Sequence, residues 1–395
     1  MNMIRVLHLI QSVNAQAGGT ATAFLGLLDA LREHSQVHVL AVSTPPPEGD
    51  PAWATIRADR RARGESAWTL VKGQGRLLWP GPLGNAARHL LLSNKADLLH
   101  IHGLWSPDLL GAAQAAQAER VRYVWQPHGM LVRAALDQKK LKKRVFMALG
   151  MRAALERAAA IVYCSTDERS RSIPPAGYPA ADQHVIPLPL HLPVSLPSRA
   201  QMRAEARRRF DIPADAPTVV FMGRLHHVKR LELAFEAVGR ASRTLPNLHL
   251  LLLGEGEADY AAHLRALAES LGIAQRVRFA GFISGDDKWP ALAAADILTL
   301  NSKHENFGFV AVEALCVGTV PVLTDNLALA PELAGVGGGF SCGQTPDDLA
   351  AAYIEALRAS PRDDVVARGM AWVREHLSAA AVAGSLEGLY RRLLD

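Results

Sequence analysis

At 395 residues the chain is too long for one ordinary hydrophobic core, so its length predicts two domains. Hydrophobic residues make up 49% and charged residues 21%, which excludes a disordered chain. The formal net charge of +5 suits a phosphate-bearing ligand or an anionic membrane surface and does not by itself indicate a nucleic-acid partner.

The cysteine content and the N-terminal sequence bear on the compartment. Cys164, Cys316 and Cys342 are odd in number and widely spaced, which argues against a disulfide framework and a zinc site. Residues 1–10 lack the apolar segment and cleavage site of a signal peptide, and no stretch approaches the ~18–20 apolar residues of a membrane helix. We therefore expect a cytoplasmic protein that is at most peripheral to a membrane.

The first half of the chain alternates between predicted strands and helices. The predicted strands are 5–10, 36–43, 96–102, 121–126 and 159–165, and the predicted helices include 20–33, 83–92 and 108–118. Such alternation predicts a parallel sheet covered by helices on both faces, an α/β domain. The proline-rich residues 45–51 predict an irregular loop.

The loop before the first helix ends in Gly18, Gly19 and Thr20. Free N–H groups and the positive end of the helix dipole make such a position suitable for an anion. A Gly-Gly-Thr sequence is also common in simple tight turns, so both interpretations stay open.

Residues 138–152 form a basic run that merges into an apolar, helix-forming segment. One interpretation is a solvated helix whose apolar side packs on the domain. The other is an interfacial helix, in which each basic residue from Lys139 to Arg144 adds about 1 kcal/mol of attraction to anionic lipid.

A proline-rich region follows residues 184–186 and predicts the link to a second alternating domain. The predicted elements there are strands 218–223, 248–254, 277–283, 296–300 and 320–325 and helices 347–359 and 379–394. After the strand that ends at Gly223, Arg224 and Lys229 are spaced so that both cations can reach one phosphate pair. His226 and His227 do not predict a metal site, because adjacent side chains are expected to diverge and no further ligand is evident.

The most informative stretch runs from Glu305 to Glu313, between a buried strand and a helix. Gly308 is expected at the turn, where a missing Cβ lets the backbone approach a ligand. Ligands bind at this edge of an open α/β sheet, and two carboxylates there can hold hydroxyl groups on either side of a diphosphate. Two ordinary surface glutamates are the alternative.

Glu305-Asn306-Phe307-Gly308, with Glu313-Ala314-Leu315 after it, strongly resembles the family 4 retaining glycosyltransferases of the GT-B fold. The segment Gly223-Arg224-Leu225 with Lys229 matches the same family, which usually has glycine where this chain has Arg230. The resemblance implies two Rossmann-like domains facing each other across a cleft. We expect residues 1–195 to form the acceptor-side domain, 196–375 the nucleotide-sugar domain, and 376–395 a helix that crosses back.

The resemblance also implies roles for individual residues in the nucleotide-sugar domain. Glu305 is expected to contact the donor sugar, Glu313 the ribose, and Arg224 and Lys229 the departing phosphate. The expected donor-binding residues of this domain also include Gly223, Asn306, Phe307, Gly308, Phe282 and Ile283. Backbone groups of the last two are expected at a uracil edge, although an ordinary core strand explains them equally well.

In the first domain, His128 lies in a Pro-His-Gly sequence that the family commonly places beside the donor sugar. The loop with Gly18 and Gly19 is expected to approach the donor diphosphate or the acceptor. His100 and His102 lie near the end of the predicted strand 96–102, and Trp105 follows it. His102 and Trp105 are candidates for the acceptor pocket, but a histidine near a strand end is more often structural.

The implied activity is retaining transfer of a hexose from a nucleotide diphosphate sugar, more often a UDP than a GDP sugar, to a glycan or lipid-linked acceptor. No metal or cofactor is expected, because Arg224 and Lys229 occupy the place of a divalent ion. The implied pathway is exopolysaccharide or lipopolysaccharide synthesis at the inner face of the cell membrane. Alternatives are a GT-B epimerase or phosphorylase and a non-catalytic sugar-nucleotide-binding scaffold.

Overall fold

The computed structural model describes residues 3–14, 19–72, 81–93, 95–175, 177–190, 195–283, 285–303, 305, 307–359 and 362–395. The chain forms two compact units. Unit 1 comprises Met1–His191 and His376–Asp395, and unit 2 comprises Leu192–Glu375.

Unit 1 contains a seven-stranded sheet in the order β3-β2-β1-β4-β5-β6-β7, and all its neighbouring strands are parallel. The strands are β1 Ile4–Ser12, β2 Val37–Thr44, β3 Trp68–Leu70, β4 Leu98–His102, β5 Arg122–Gln126, β6 Ala160–Tyr163 and β7 Gln183–Val185. The helices are α1 Gly19–His34, α2 Ala52–Arg63, α3 Pro82–Leu92, α4 Pro107–Ala118, α5 Arg133–Asp137, α6 Lys140–Phe146, α7 Arg152–Glu156 and α8 Thr166–Arg171.

Unit 2 contains a six-stranded parallel sheet in the order β10-β9-β8-β11-β12-β13. Its strands are β8 Thr218–Met222, β9 His249–Leu253, β10 Val277–Phe279, β11 Ile297–Leu300, β12 Val320–Thr324 and β13 Phe340–Cys342. Its helices are α9 Arg199–Arg209, α10 Leu231–Ala241, α11 Ala258–Ser270, α12 Lys288–Ala293, α13 Phe309–Cys316, α14 Leu329–Gly335, α15 Pro346–Arg358 and α16 Arg362–Leu377.

The strands are buried on both faces, which explains why they are apolar runs rather than alternating sequences. In β1, Val6 faces one core of unit 1 and Leu7 faces another, and both side chains are fully buried. Two helices of unit 2 begin at residues whose side chains cap the first turn. The Ser198 and Thr345 side chains cap α9 and α15 in reciprocal capping boxes with residues three positions later.

The last helix, α17 Ala379–Leu394, belongs to unit 1 and packs on α1. The Ser378 side chain accepts a hydrogen bond from the Ala381 N–H at its start. Leu386 and Tyr390 are fully buried in the core that α1 also lines. Residues remote in sequence therefore complete the core of unit 1.

Most predicted elements agree with the structure within a few residues, but the predicted strand 277–283 is too long. Strand β10 ends at Phe279. Gly281 has a φ of +77°, a left-handed conformation that is incompatible with an extended strand. The amide N–H of Ala280 still donates to the Leu252 carbonyl, and the chain then turns away.

The basic segment is helical but irregular. Helix α6 follows Lys139, whose φ of +50° is left-handed, and a turn of π-helix follows at Met147–Met151, with Gly150 at a φ of +124°. Across the described parts of the chain, no helix combines the length and apolar composition needed to cross a membrane.

Candidate active site

In unit 2, β8 and β11 are neighbours in the sheet although β9 and β10 lie between them in sequence. The winding of the chain therefore reverses between β8 and β11. The crevice beyond the carboxyl ends of two such strands is where open α/β sheets bind ligands. Gly223 follows β8 and Glu305 follows β11, so the two stretches singled out in the sequence meet at this position.

Lys229 and Glu305 form an ion pair in unit 2, with 2.5 Å between Nζ and Oε1. The Ser302 hydroxyl donates to the same carboxylate oxygen at 2.7 Å. Both charged side chains are largely covered, with 23% of Lys229 and 17% of Glu305 exposed. The Lys229 ammonium and the Glu305 carboxylate, which can accept hydrogen bonds from hydroxyl groups, are therefore held side by side. They are close enough to contact neighbouring groups of one ligand.

The loop that carries Lys229 is tied to the end of β11. The Asn301 side-chain amide donates to the Lys229 carbonyl at 2.9 Å and to the Arg230 carbonyl at 2.6 Å. Arg230 has φ +51° and ψ +45°, the left-handed conformation that glycine adopts most easily. The backbone shape favoured by glycine is thus kept by arginine, and its guanidinium donates to the side chain and the carbonyl of Gln344.

Glu313 lies in α13 and forms a second carboxylate–lysine pair, with 2.6 Å between its Oε1 and the Lys288 Nζ. Lys288 begins α12 and also lies over the Trp289 ring at 4.4 Å. Sequence reasoning missed Lys288, because nothing in the local sequence indicates a contact with a residue in a later helix.

The turn between Glu305 and Glu313 is shaped by Gly308, which has a φ of +87° and precedes the first residue of α13. A Cβ at this position would lie 3.0 Å from the Leu300 side chain. Phe307 is 95% buried against Phe309 (ring centroids 4.7 Å apart), so its side chain supports the turn from the inside. Asn306, a predicted donor-binding residue, lies outside the described residues.

The end of β8 approaches the end of β9 very closely. Gly223 has a φ of +154°, and its N–H donates to the Leu253 carbonyl at 2.9 Å. A Cβ on Gly254 would lie 1.9 Å from the Gly223 carbonyl oxygen, so only glycine fits there. Arg224 follows on the surface, and within the described part of unit 2 its guanidinium has no hydrogen-bond or ion-pair partner. It is therefore available to an anionic ligand.

The segment predicted to contact a base carries an acidic side chain beside it. The Phe282 N–H donates to Glu255 Oε1 at 3.4 Å, and the Phe282 ring is 69% exposed whereas Ile283 is buried. An exposed aromatic ring suits stacking on a base. The Phe282 N–H, expected to contact a uracil edge, already has an acceptor within the chain.

Two adjacent histidines differ from expectation. The rings of His226 and His227 do not diverge: their centroids are 3.9 Å apart, and the planes are inclined by 36°. The prediction that these two side chains diverge is therefore wrong. However, His226 Nδ1 accepts the Val228 N–H, so one ring nitrogen is engaged.

In unit 1, three buried histidines form a hydrogen-bonded chain. His8 Nδ1 lies 3.1 Å from His102 Nε2, and His102 Nδ1 lies 3.1 Å from His128 Nε2. His100 is paired with the Tyr390 hydroxyl at 2.7 Å. The strands explain the arrangement: His8 is in register with His100, and His102 lies two residues further on the same face of β4.

The chain of histidines continues from His128 towards Cys164, with 3.8 Å between Nδ1 and Sγ. His128 is 94% buried and has a left-handed φ of +50°, and both its ring nitrogens face groups within unit 1. Its proposed contact with a donor sugar therefore remains a prediction that requires one of these contacts to open. His102 is also buried and lies in this network rather than at a surface pocket.

Burial sets the charge state of these histidines. It lowers the pKa of His8 to about 3, with a further contribution from the positive charge of Arg32, and it lowers the pKa of His128 to about 4. The pKa values of His100 and His102 are also lowered, by burial first and by the neighbouring histidines second. All four are therefore neutral at neutral pH.

The ligand atoms of His8, His100 and His102 lie within 4.8 Å of one another, which is compatible with a metal ion. A divalent cation held by three neutral imidazoles would leave its charge uncompensated in a fully buried core. The charge that acts on His8 is that of Arg32, which repels a cation. We therefore interpret the trio as part of the core network.

The remaining predicted residues of unit 1 lie at the start of α1 and in a separate surface cavity. Gly19 is the first residue of α1, and Gly18 lies outside the described residues. Trp105 lines a cavity beside α6, where the Lys143 ammonium lies 5.0 Å from the centre of its ring.

Two compact units in one chain, each with a parallel sheet, form the architecture of the GT-B class of fold. The family described as "Glycosyl transferases group 1" matches residues 202–369, and the "Glycosyl transferase 4-like domain" matches residues 18–189. The chain therefore belongs to the group 1 glycosyltransferases.

Among curated relatives, the lipopolysaccharide core biosynthesis glycosyltransferase LpsE of Rhizobium meliloti is 44% identical over 118 residues, which is 30% of this chain and 32% of that protein. The match thus spans about a third of LpsE. A GDP-mannose-dependent alpha-(1-6)-phosphatidylinositol monomannoside mannosyltransferase of Mycobacterium tuberculosis is 27% identical over 98% of this chain and 99% of its own length.

Solved structures support the fold. Anabaena HepE in complex with UDP has a TM-score of 0.76 and 19% identity, covering 98% of this chain and 100% of that chain. WaaG, a glycosyltransferase involved in lipopolysaccharide biosynthesis, has a TM-score of 0.64 and 16% identity over 97% of this chain and 99% of its own.

Proposed function

We propose that the protein is a retaining glycosyltransferase that moves a hexose from a nucleotide diphosphate sugar to a glycan or lipid-linked acceptor, without a metal. The observation that carries this proposal is the Lys229–Glu305 pair at the switch point of unit 2. The Arg224 guanidinium, which has no partner among the described residues, lies on the loop that leads to Lys229. Fixed positive charge at that position stabilises a departing diphosphate.

In the proposed step, the bond between the sugar anomeric carbon and the terminal phosphate oxygen breaks as the acceptor oxygen bonds to the same carbon from the same face. The acceptor hydroxyl proton passes to the departing phosphate, so that the products are the glycoside and a nucleoside diphosphate. Arg224 and Lys229 compensate the developing phosphate charge. Glu305 accepts hydrogen bonds from sugar hydroxyls, and Glu313 does so from the ribose.

Two carboxylates also invite comparison with glycoside hydrolysis, which needs both beside the scissile bond. Here each carboxylate is already paired with its own lysine, Glu305 with Lys229 and Glu313 with Lys288. Each carboxylate oxygen accepts a hydrogen bond from its own lysine, an arrangement that suits the binding of ligand hydroxyl groups rather than a pair of carboxyl groups acting on one scissile bond.

We infer a UDP sugar as the donor and exopolysaccharide or lipopolysaccharide synthesis as the pathway. HepE was solved with UDP, and LpsE is a lipopolysaccharide core enzyme, whereas the mycobacterial relative is GDP-mannose-dependent. We also infer contact of α6 with the cytoplasmic face of an anionic membrane. Leu141, Val145 and Leu149 form a stripe at helical spacing, with 77%, 50% and 66% of their surfaces exposed.

Calorimetric titration of the full chain with UDP and with GDP, in the presence of a metal chelator, tests the donor site. We expect one of the two nucleotides to bind. Lys229→Ala or Glu313→Ala should lower the affinity for that nucleotide about tenfold or more, because each variant loses a charge-assisted contact with it. Arg208→Ala is the matched control, because the side chain of this exposed arginine of α9 has no partner among the described residues.

Slow hydrolysis of the matching nucleotide sugar separates an enzyme from a scaffold. We expect measurable hydrolysis that Glu305→Ala abolishes while the nucleotide still binds. Binding of a nucleotide without any turnover of its sugar, with or without acceptor extracts, would favour the scaffold. Release of free sugar epimer or sugar phosphate instead of a glycoside would favour the epimerase or phosphorylase.

A further inference from the structure

The short loop between β8 and α10 presents Lys229 at the switch point of unit 2. Leu225 fixes the start of this loop, because its side chain is buried and its N–H donates to the Glu255 carbonyl at 2.8 Å. His227–Lys229 then form a single turn of 3₁₀ helix. His226 lies between these two points and begins the turn.

His226 accepts two hydrogen bonds from the turn that it precedes. The ring Nδ1 accepts the Val228 N–H at 3.3 Å, and the backbone carbonyl accepts the Lys229 N–H at 2.7 Å. The ring therefore does what an asparagine or aspartate side chain does when it binds the backbone N–H two residues further on. His226 also has the extended backbone of such a capping residue, with a φ of −152° and a ψ of +147°.

The carbonyl groups of the same two residues are bound by the loop that follows β11. The Lys303 N–H donates to the Val228 carbonyl at 2.8 Å, and the Asn301 side-chain amide donates to the Lys229 carbonyl at 2.9 Å. Val228 and Lys229 thus have both of their N–H groups bonded by His226 and both of their carbonyl groups bonded by the other loop. That loop also carries the carboxylate partner of Lys229, so the backbones on the two sides of the ion pair are joined.

The only ring contact of His226 among the described residues is with its neighbour His227. The two ring centroids are 3.9 Å apart, and His227 is exposed. Apart from this contact, the His227 side chain has no hydrogen-bond, ion-pair or ring partner within the described part of the chain. Stacking on such a ring does not fix the loop, so His226 acts on the site through its bonds to Val228 and Lys229.

We propose that His226 is a positioning residue for Lys229: its imidazole caps the turn and keeps the Lys229 ammonium where the departing phosphate binds. The cap requires the tautomer that carries its proton on Nε2, because only an unprotonated Nδ1 can accept the Val228 N–H. The contact of Lys229 with a phosphate rests on the glycosyltransferase function proposed above, whereas the cap itself stands on the contacts of the loop.

Two substitutions at position 226 separate the cap from the ring. The Oδ1 of asparagine is as many bonds from the backbone as the Nδ1 of histidine, so His226→Asn keeps the acceptor and removes the ring. His226→Phe keeps a ring of similar size and removes the acceptor. His263→Phe is the matched control, because this exposed histidine of α11 lies in unit 2 and outside the loop.

Calorimetric titration of the full chain with UDP and with GDP measures the effect on the donor site. His226→Phe should lower the affinity for the nucleotide that binds about fivefold or more, the usual effect of a lost cap. His226→Asn and His263→Phe should change this affinity less than about twofold. In the Lys229→Ala background, His226→Phe should have no further effect, because the side chain that it positions is gone.

Two measurements on the protein without nucleotide test the cap itself. ¹⁵N NMR of the labelled histidines should show that Nδ1 of His226 carries no proton. The amide hydrogens of Val228 and Lys229 should exchange with solvent about fivefold faster in His226→Phe and at an unchanged rate in His226→Asn.

Several results would overturn the proposal. Equal loss of affinity in His226→Asn and His226→Phe would mean that the imidazole itself contacts the ligand. An unchanged affinity in His226→Phe, or a loss that persists in full beside Lys229→Ala, would mean that His226 does not act through Lys229. A protonated Nδ1, or unchanged amide exchange in His226→Phe, would exclude the cap. If neither nucleotide binds the unaltered chain, the donor function fails, and the NMR and exchange measurements still decide whether His226 caps the turn.

Discussion

Lowering the pH from 7 to 5 should destabilise unit 1 through its buried histidines. In the unfolded chain a histidine titrates near 6.5 and gains a proton over this interval. In the fold, burial keeps the pKa of His8 at about 3 and that of His128 at about 4, so both stay neutral. The unfolded state then binds more protons than the folded state, and stability is lost as the pH falls below 6.5.

The size of the effect follows from the pKa difference. At pH 5, each histidine that stays neutral in the fold lowers the free energy of unfolding by about 2 kcal/mol, which makes about 4 kcal/mol for His8 and His128 together. His100 and His102 act in the same direction. Glu168 acts in the opposite direction, because burial raises the pKa of its carboxyl group.

Urea titrations at pH 7 and pH 5, followed by tryptophan fluorescence, measure this loss. Five of the seven tryptophans, at positions 53, 68, 79, 105 and 125, belong to unit 1, so the signal reports mainly on that unit. The variant His8→Gln should shrink the difference between the two pH values by about 2 kcal/mol. His34→Gln, which replaces an exposed histidine of the same unit, should leave the difference unchanged.

An unchanged midpoint between pH 7 and pH 5 would refute the reasoning, because it would mean that these histidines accept protons in the fold as easily as in the unfolded chain. A loss of stability that persists fully in His8→Gln would assign the effect to other groups. An NMR titration of the histidine imidazole rings would then identify which histidines are charged at pH 5.

The other predictions concern unit 2. Lys229→Ala should lower kcat about 10²–10³-fold, because the departing phosphate loses the positive charge beside it, and Lys229→Arg should restore part of the rate. An unchanged kcat in Lys229→Ala would exclude a role of this residue in stabilising the leaving group. Lys288→Met should weaken nucleotide binding about tenfold with little change in kcat, because Glu313 loses its partner, and calorimetry beside steady-state rates checks this. Arg230→Gly should keep activity and change the free energy of unfolding by less than about 2 kcal/mol. Glycine adopts the left-handed backbone conformation without the strain that arginine has there, and this gain offsets the hydrogen bonds to Gln344 that are lost. A large loss of activity would indicate that Arg230 contacts the substrate.

The main features of unit 2 were predictable because they are local. Apolar runs before Gly223 and before Glu305 mark two strands, and glycine marks the turns after them. The sequence predicts that Lys229 and Glu305 lie at the same edge of the sheet, because each follows a strand that ends there. It does not predict that the two side chains form an ion pair with each other. Lys288 could not be anticipated, because its contact with Glu313 depends on how α12 packs beside α13.

The histidines of unit 1 show the opposite case. His100 and His102 were correctly placed at a strand end, but their burial and their link to His8 depend on the pairing of β4 with β1 and on the helices that cover that face. A sequence pattern of period two shows which residues share a face and does not show what lies above it. Tyr390, the partner of His100, comes from the other end of the chain.

That long-range contact has a consequence for how the protein is made. Because α17 supplies Leu386 and Tyr390 to the core of unit 1, this unit lacks part of its interior until residues 376–395 have been synthesised. Unit 2 has its whole sequence earlier and can fold first during translation. Until α17 docks, the side of α1 that packs on it is uncovered and His100 lacks its Tyr390 partner, so the emerging first half exposes apolar surface until the end of the chain is made.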